Sequence, residues 1–217
     1  MPIQIQGNSG VVAEVDGTGF RAFRFTQRPI DVGSLGGYRL SMASGVMAAG
    51  LAAAAEVFQF RWTDATRLAV VTKVVIDGAG GIVAFAAGVT RFDIVVARAW
   101  TADGSGGTAA TLTGNNQKMR TSFGTTLLGA ARISSTGALT AGTKTLDTQA
   151  IGNAVASTTA TAGTVVMPPS ILHHHDAGSS HPLVLATNEG FVIRGTVPAT
   201  GTWTFALTIE WVEVTSF

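Results

Sequence analysis

With 217 residues, 46% of them hydrophobic and only 12% charged, the chain can bury a sizeable core and is expected to have much of its surface covered by partners. A formal net charge of +1 gives no basis for electrostatic capture of nucleic acid, and the lack of cysteine excludes disulfides and thiolate metal centres. The longest uncharged stretch of the richest apolar region, Leu40 to Ala55, is shorter than the roughly 20 residues of a membrane span. The opening MPIQIQGNSG has neither a basic head nor an apolar run, so no leader and no membrane segment are expected and the protein starts in the cytoplasm.

Residues 1–36 read as an extended N-terminal attachment arm. Short strands at 3–6, 11–15 and 20–25 alternate with turns at Asn8 to Gly10 and Asp16 to Gly19, and Pro29 with Gly36-Gly37 closes the piece. Its large apolar side chains are too few for a core of their own. Phe20, Phe23 and Phe25 are therefore the expected anchors on the body or on a neighbouring subunit.

The body, 37–217, opens with strands at 38–46, 57–62, 68–76, 82–85 and 89–100. A short Ala-rich helix over 42–55 is the alternative there, interrupted by Gly45 and Gly50. Thr63 to Thr66 reads as a turn, and Asp77-Gly78-Ala79-Gly80-Gly81 is the strongest turn signal of the chain. From 103 to 162 Gly, Thr, Ala and Ser dominate, which predicts long surface loops around short strands at 132–134 and 165–167. Strands follow at 183–186 and 191–196, and a last hairpin is expected to turn at Pro198 to Gly201.

The final strand alternates strictly, with Trp203, Phe205, Leu207 and Ile209 apolar and Thr204, Ala206 and Thr208 between them. The alternation then slips, because Val212 directly follows Trp211, so a bulge is predicted there. No fixed-period repeat is visible. The expected fold is all-β, an antiparallel β-sandwich of the jelly-roll kind, with Phe58, Phe60, Val70, Phe92, Ile94, Phe191, Ile193, Phe205 and Leu207 in its core.

Few residues suggest chemistry. His173, His175 and His181 are the weak metal-ligand candidates, beside His174 and Asp176. Adjacent histidines in a strand face opposite ways, so a loop at a subunit contact is the stronger reading and no metal is expected. Ser179, Ser180, His181 and Asp176 are triad residue types crowded into six positions, whereas triad members converge from separated segments.

Lys144 sits one position too late after Gly142 for a phosphate loop, and Gly104 to Gly107 lacks a strand-to-helix setting. Glu210 and Glu213 read as outward charges that discourage edge pairing, and Asp93 as the partner of Arg91 or Arg98. Trp62, Trp100, Trp203 and Trp211 could stack sugars but sit in alternating strands, where indoles are core. No catalytic residue and no cofactor is expected.

Five stretches carry a likeness: Ile5-Gln6-Gly7-Asn8-Ser9-Gly10 with Ala13-Glu14-Val15-Asp16, Met47-Ala48-Ala49-Gly50-Leu51, Phe58-Gln59-Phe60-Arg61-Trp62, Ala110-Thr111-Leu112-Thr113-Gly114-Asn115-Asn116, and His181-Pro182-Leu183 through Glu189-Gly190-Phe191. In these the chain resembles small virion structural proteins of tailed bacteriophages. The resemblance implies a non-enzymatic β-rich subunit in many copies on the virion, foremost a capsid decoration or cement protein bound to the major capsid protein. A homotrimer matched to local three-fold positions is implied in part. A tail, baseplate or fibre component is the alternative, and a carbohydrate-binding module with a host glycan partner ranks below it.

Overall fold

The computed structural model describes residues 5–6, 12–13, 36–48, 51, 54–83, 86–159, 161, 165–176 and 181–217. The chain divides into two compact units, Met1–Asp31 and Val32–Phe217. In the first, β1 (Ile5–Gln6) pairs antiparallel with β2 (Val12–Ala13). Phe20, Phe23 and Phe25 lie outside the described residues.

The second unit is an antiparallel β-sandwich, with no helix among the described residues. One sheet is built on β6 (Leu68–Val83). On one side of β6 run β12 (Val165–Met167), β13 (Ser170–His174) and β14 (Leu183–Leu185). On its other side is β16 (Thr202–Val214), flanked in turn by β3 (Gly37–Ala43) and β4 (Met47–Ala48).

The second sheet is built on β7 (Gly88–Ala102), which carries β10 (Thr143–Leu146) and β11 (Gly152–Thr158) on one edge. Beyond β7 come β15 (Glu189–Thr196), β5 (Ala55–Trp62), β9 (Leu128–Ile133) and the two-residue β8 (Thr108–Ala109). β10 and β11 fall where loops were expected. Apart from Lys144, Leu146, Asn153 and Val155 their residues are Thr, Ala, Ser and Gly, with little of the alternation of large apolar side chains that marks a strand, and pairing with β7 makes them strands.

The inward faces form one core. Phe60 stacks on Phe191 at 4.9 Å, Trp211 meets Phe60 edge-on at 5.3 Å, and Phe92 contacts Phe205 at 5.5 Å, so aromatic side chains span the two sheets. All nine expected core residues are buried. Val70 is the one that lies outside the inter-sheet cluster. Its neighbours Ala69 and Val71 face inward, so Val70 occupies the outer face beside Val212.

Three sequence expectations are corrected. Asp77 to Gly81 is no turn, since β6 runs straight through it. Against β16, Thr72, Asp77 and Ile82 are each skipped as one-residue bulges, and Asp77 turns its carboxylate to accept from Thr208 Oγ1 at 2.6 Å. Glycine and Asp serve bulges as well as they serve turns.

The second correction concerns Trp211 and Val212. β16 keeps its period of two and pairs with β3 without a register shift from Ala206 to Val212. The irregularity there belongs to β6, at Thr72, so Trp211 and Glu213 continue the inward row.

Third, Pro198 to Gly201 is an arch between sheets. β15 is already paired on both edges by β7 and β5, and β16 by β6 and β3, so neither has an edge left for the other.

Candidate functional site

The most heavily functionalised surface is the outer face of the β7, β15, β5 and β9 sheet. Alternation sends Phe58, Phe60 and Trp62 of β5 inward and leaves Gln59 and Arg61 outside. Arg194 pairs with Glu56 rather than Val57, so Val57 is a bulge residue and Glu56 joins Gln59 on the outer face.

The Gly/Thr-rich segment covers part of this face. At Ala99, which has φ 48°, β7 bends, and the Trp100 amide donates to Asn188 O at 2.8 Å. The Trp100 ring then lies against Gly190, where a Cβ would be 2.9 Å from the indole and 2.1 Å from Phe60 O. Trp100 packs with Val95, Ala97 and Val192, and Leu146 and Ala150 close over them.

Beneath this cover is a buried polar cluster. The Lys144 side chain is 1% exposed, and its Nζ lies 2.8 Å from Glu56 Oε2 and 4.5 Å from the centre of the Trp100 ring. Gln59 Nε2 donates to the same Glu56 oxygen and to Thr140 O, both at 2.7 Å. Lys144 also donates to Ala141 O. Its ammonium is thus held internally, tying β10 to β5.

Beside that cluster, Arg61, Arg132, Asp103 and Gln59 line a depression of about 120 Å³, with Ala109 and Ala130 among its walls. Arg61 Nη1 donates to Asp103 Oδ1 at 2.9 Å and Nη2 to Asn188 Oδ1 at 3.5 Å, while its buried Nε has no acceptor. Arg132 Nη1 donates to Gly106 O at 2.6 Å. Nothing in the sequence marks this depression, because Arg61, Asp103 and Arg132 come from three separated segments.

The histidine segment stays dispersed. His173 Nε2 lies 3.2 Å from Val71 O, His174 pairs with Asp176 at 2.9 Å, His175 Nδ1 is buried without a partner, and His181 Nδ1 is 2.7 Å from Pro182 O. Burial pushes the His173 imidazole below its usual pKa, with His175 and His174 adding to that and the Val71 carbonyl opposing it. Among the described residues no three ligating side chains gather as a metal set. Ser179 and Ser180 lie outside the described residues.

Glu213 is not an outward charge. It is 2% exposed on the inward row, and its Oε1 accepts from Thr126 Oγ1 at 2.6 Å, Leu127 N at 3.0 Å and Trp211 Nε1 at 3.4 Å. Burial pushes its pKa up, and those three donors pull the other way. Tyr38, stacked on Trp211, is pushed up to about 12 by burial and by the Glu213 charge.

Glu210 does face outward, 3.6 Å from Arg39, and Asp93 takes Arg91 as its partner at 2.6 Å. All four tryptophans are buried, so none offers a face to a sugar. No family model, no curated protein and no solved structure matches the chain.

Proposed function

We propose that the chain is a structural subunit of a tailed-bacteriophage virion, a decoration or cement protein that binds the major capsid protein on the head surface. The observation that carries this reading is the division of the chain into a short N-terminal unit, Met1–Asp31, and a sandwich body. A small N-terminal unit suits attachment by strand addition, in which main-chain hydrogen bonds grip a neighbour's sheet edge. Further support comes from Met119, Val155 and Ile171, large apolar side chains exposed on a body with few charges.

The test is a deletion of residues 1–25. The truncated body is expected to keep its β-rich circular dichroism and to vanish from purified particles, with copy number read from a quantified gel. Full occupancy by the truncated protein would remove the N-terminal unit from the attachment mechanism.

A further inference from the structure

We infer that the depression between Arg61 and Arg132 is a carboxylate-binding subsite, its carboxylate supplied by an acidic side chain of the protein surface to which this chain attaches. Pairing sets Arg61 opposite Ala130 and Gln59 opposite Arg132, so the two arginines take diagonal positions on one face. Diagonal side chains on a sheet stand about 7–8 Å apart, close enough for both guanidinium groups to reach one small anion. Among the described residues Asp103 is the one carboxylate within salt-bridge distance of either, which leaves one positive charge of the pair uncompensated.

The donor count agrees. Arg132 spends Nη1 on Gly106 O, and Arg61 Nε is a buried donor with no acceptor, a state that favours any group able to satisfy it. A carboxylate matches the planar fork of a guanidinium and adds the single negative charge that is lacking. At about 120 Å³ the space is far below the roughly 300–1,000 Å³ of sites for drug-sized ligands, so it suits the end of a side chain. Of the lining residues Asp103, Ala109 and Gly129 are exposed, so the depression opens to solvent, and Ala109 belongs to the outermost strand of the sheet.

The subsite stands on this geometry, whereas the source of the carboxylate rests on the attachment reading, and the experiment separates them. Uniformly ¹⁵N-labelled full-length protein is titrated with sodium acetate, with sodium chloride at equal ionic strength and with inorganic phosphate, while the arginine Nε–Hε signals are followed. Arg61→Lys assigns the Arg61 signal. Acetate is expected to shift that signal saturably in the millimolar range, chloride to leave it in place, and phosphate to bind more weakly than acetate.

Arg132→Gln is expected to weaken the acetate response at least tenfold. Ala109→Glu, which brings a carboxylate of the chain itself to the depression, is expected to abolish it without removing either arginine. An unsaturable shift, an equal response to chloride, or an unchanged response in both variants would overturn the subsite and leave a water-filled hollow.

In the second arm, head particles lacking the protein are decorated with wild type and Arg132→Gln. A tenfold loss of apparent affinity in the variant supports an acidic side chain of the particle as the occupant. Equal decoration by both proteins, with acetate binding intact in the wild type, assigns the subsite to free carboxylates and overturns the partner. Failure of the wild type to decorate at all defeats the attachment reading, and the partner with it, while the acetate titration alone still judges the subsite.

Discussion

Glu213 occupies an inward position of β16 where the alternation calls for an apolar side chain, and three neutral donors hold its carboxylate there. Its pKa is raised in the fold, so the folded state binds the proton more tightly than the unfolded chain. The stability this group contributes is complete below the unfolded pKa of about 4.5 and is lost as pH rises through the folded value. Glu213→Gln is therefore expected to flatten that decline, measured as the difference in Tm between variant and wild type from pH 4 to 8. His173 has the opposite sign. Its pKa is lowered, so its contribution is present above about pH 6.5 and is lost as pH falls through the folded value. His173→Gln retains a donor for Val71 O, and its Tm is expected to fall less than that of wild type on acidification below pH 6.5.

At the scale of elements, β6 and β16 are the two inner strands of their sheet, and β6 adapts to β16 with three bulges. Each bulge resets which residues of β6 face inward: Ala69 and Val71, then Val74 and Ile76, then Ala79. Alternation read along β6 is valid only between bulges: continued across Thr72, the row of Val74 and Ile76 would bring Val70 inward, whereas Ala69 and Val71 take those places. Close approach decides two other positions. A Cβ on Gly190 would strike Phe60 O and the Trp100 ring, and one on Gly152 would sit 1.8 Å from Leu172 O, where β11 meets β13. Gly190→Ala and Gly152→Ala are each expected to cost about 1–3 kcal/mol by urea unfolding. Only Gly190→Ala should change tryptophan fluorescence, by lifting Trp100 from its bed.

For the whole molecule, the partners of β16 set the order of events. β3 and β16 lie near opposite ends of the chain and pair over seven residues, with Ser41 Oγ and Thr208 Oγ1 2.7 Å apart. Such non-local pairing predicts folding in the millisecond-to-second range, read by stopped-flow fluorescence. Removing residues 202–217 should abolish the cooperative melt, because β3, β4 and β6 all pair with β16. Exposed Val155 and Ile171 are expected to be covered by self-association, most simply as a trimer, in sedimentation equilibrium at micromolar concentration. A stable monomer there would remove obligate association from the account.

The sequence by itself determined the all-β class, eight of the nine residues named for the inter-sheet core and the burial of all four tryptophans. The two-residue period is a local property, legible wherever large apolar side chains alternate with small ones. Tertiary structure alone decided that Pro198 to Gly201 crosses between sheets, that Asp77 to Gly81 is a bulged strand, and that β10 and β11 are strands at all. It also buried Glu213, enclosed Lys144 against Glu56, and gathered Arg61, Asp103 and Arg132 around one depression. Those outcomes depend on which strand edges are still unpaired and on which donors arrive from distant segments, and neither is written in any local run of residues.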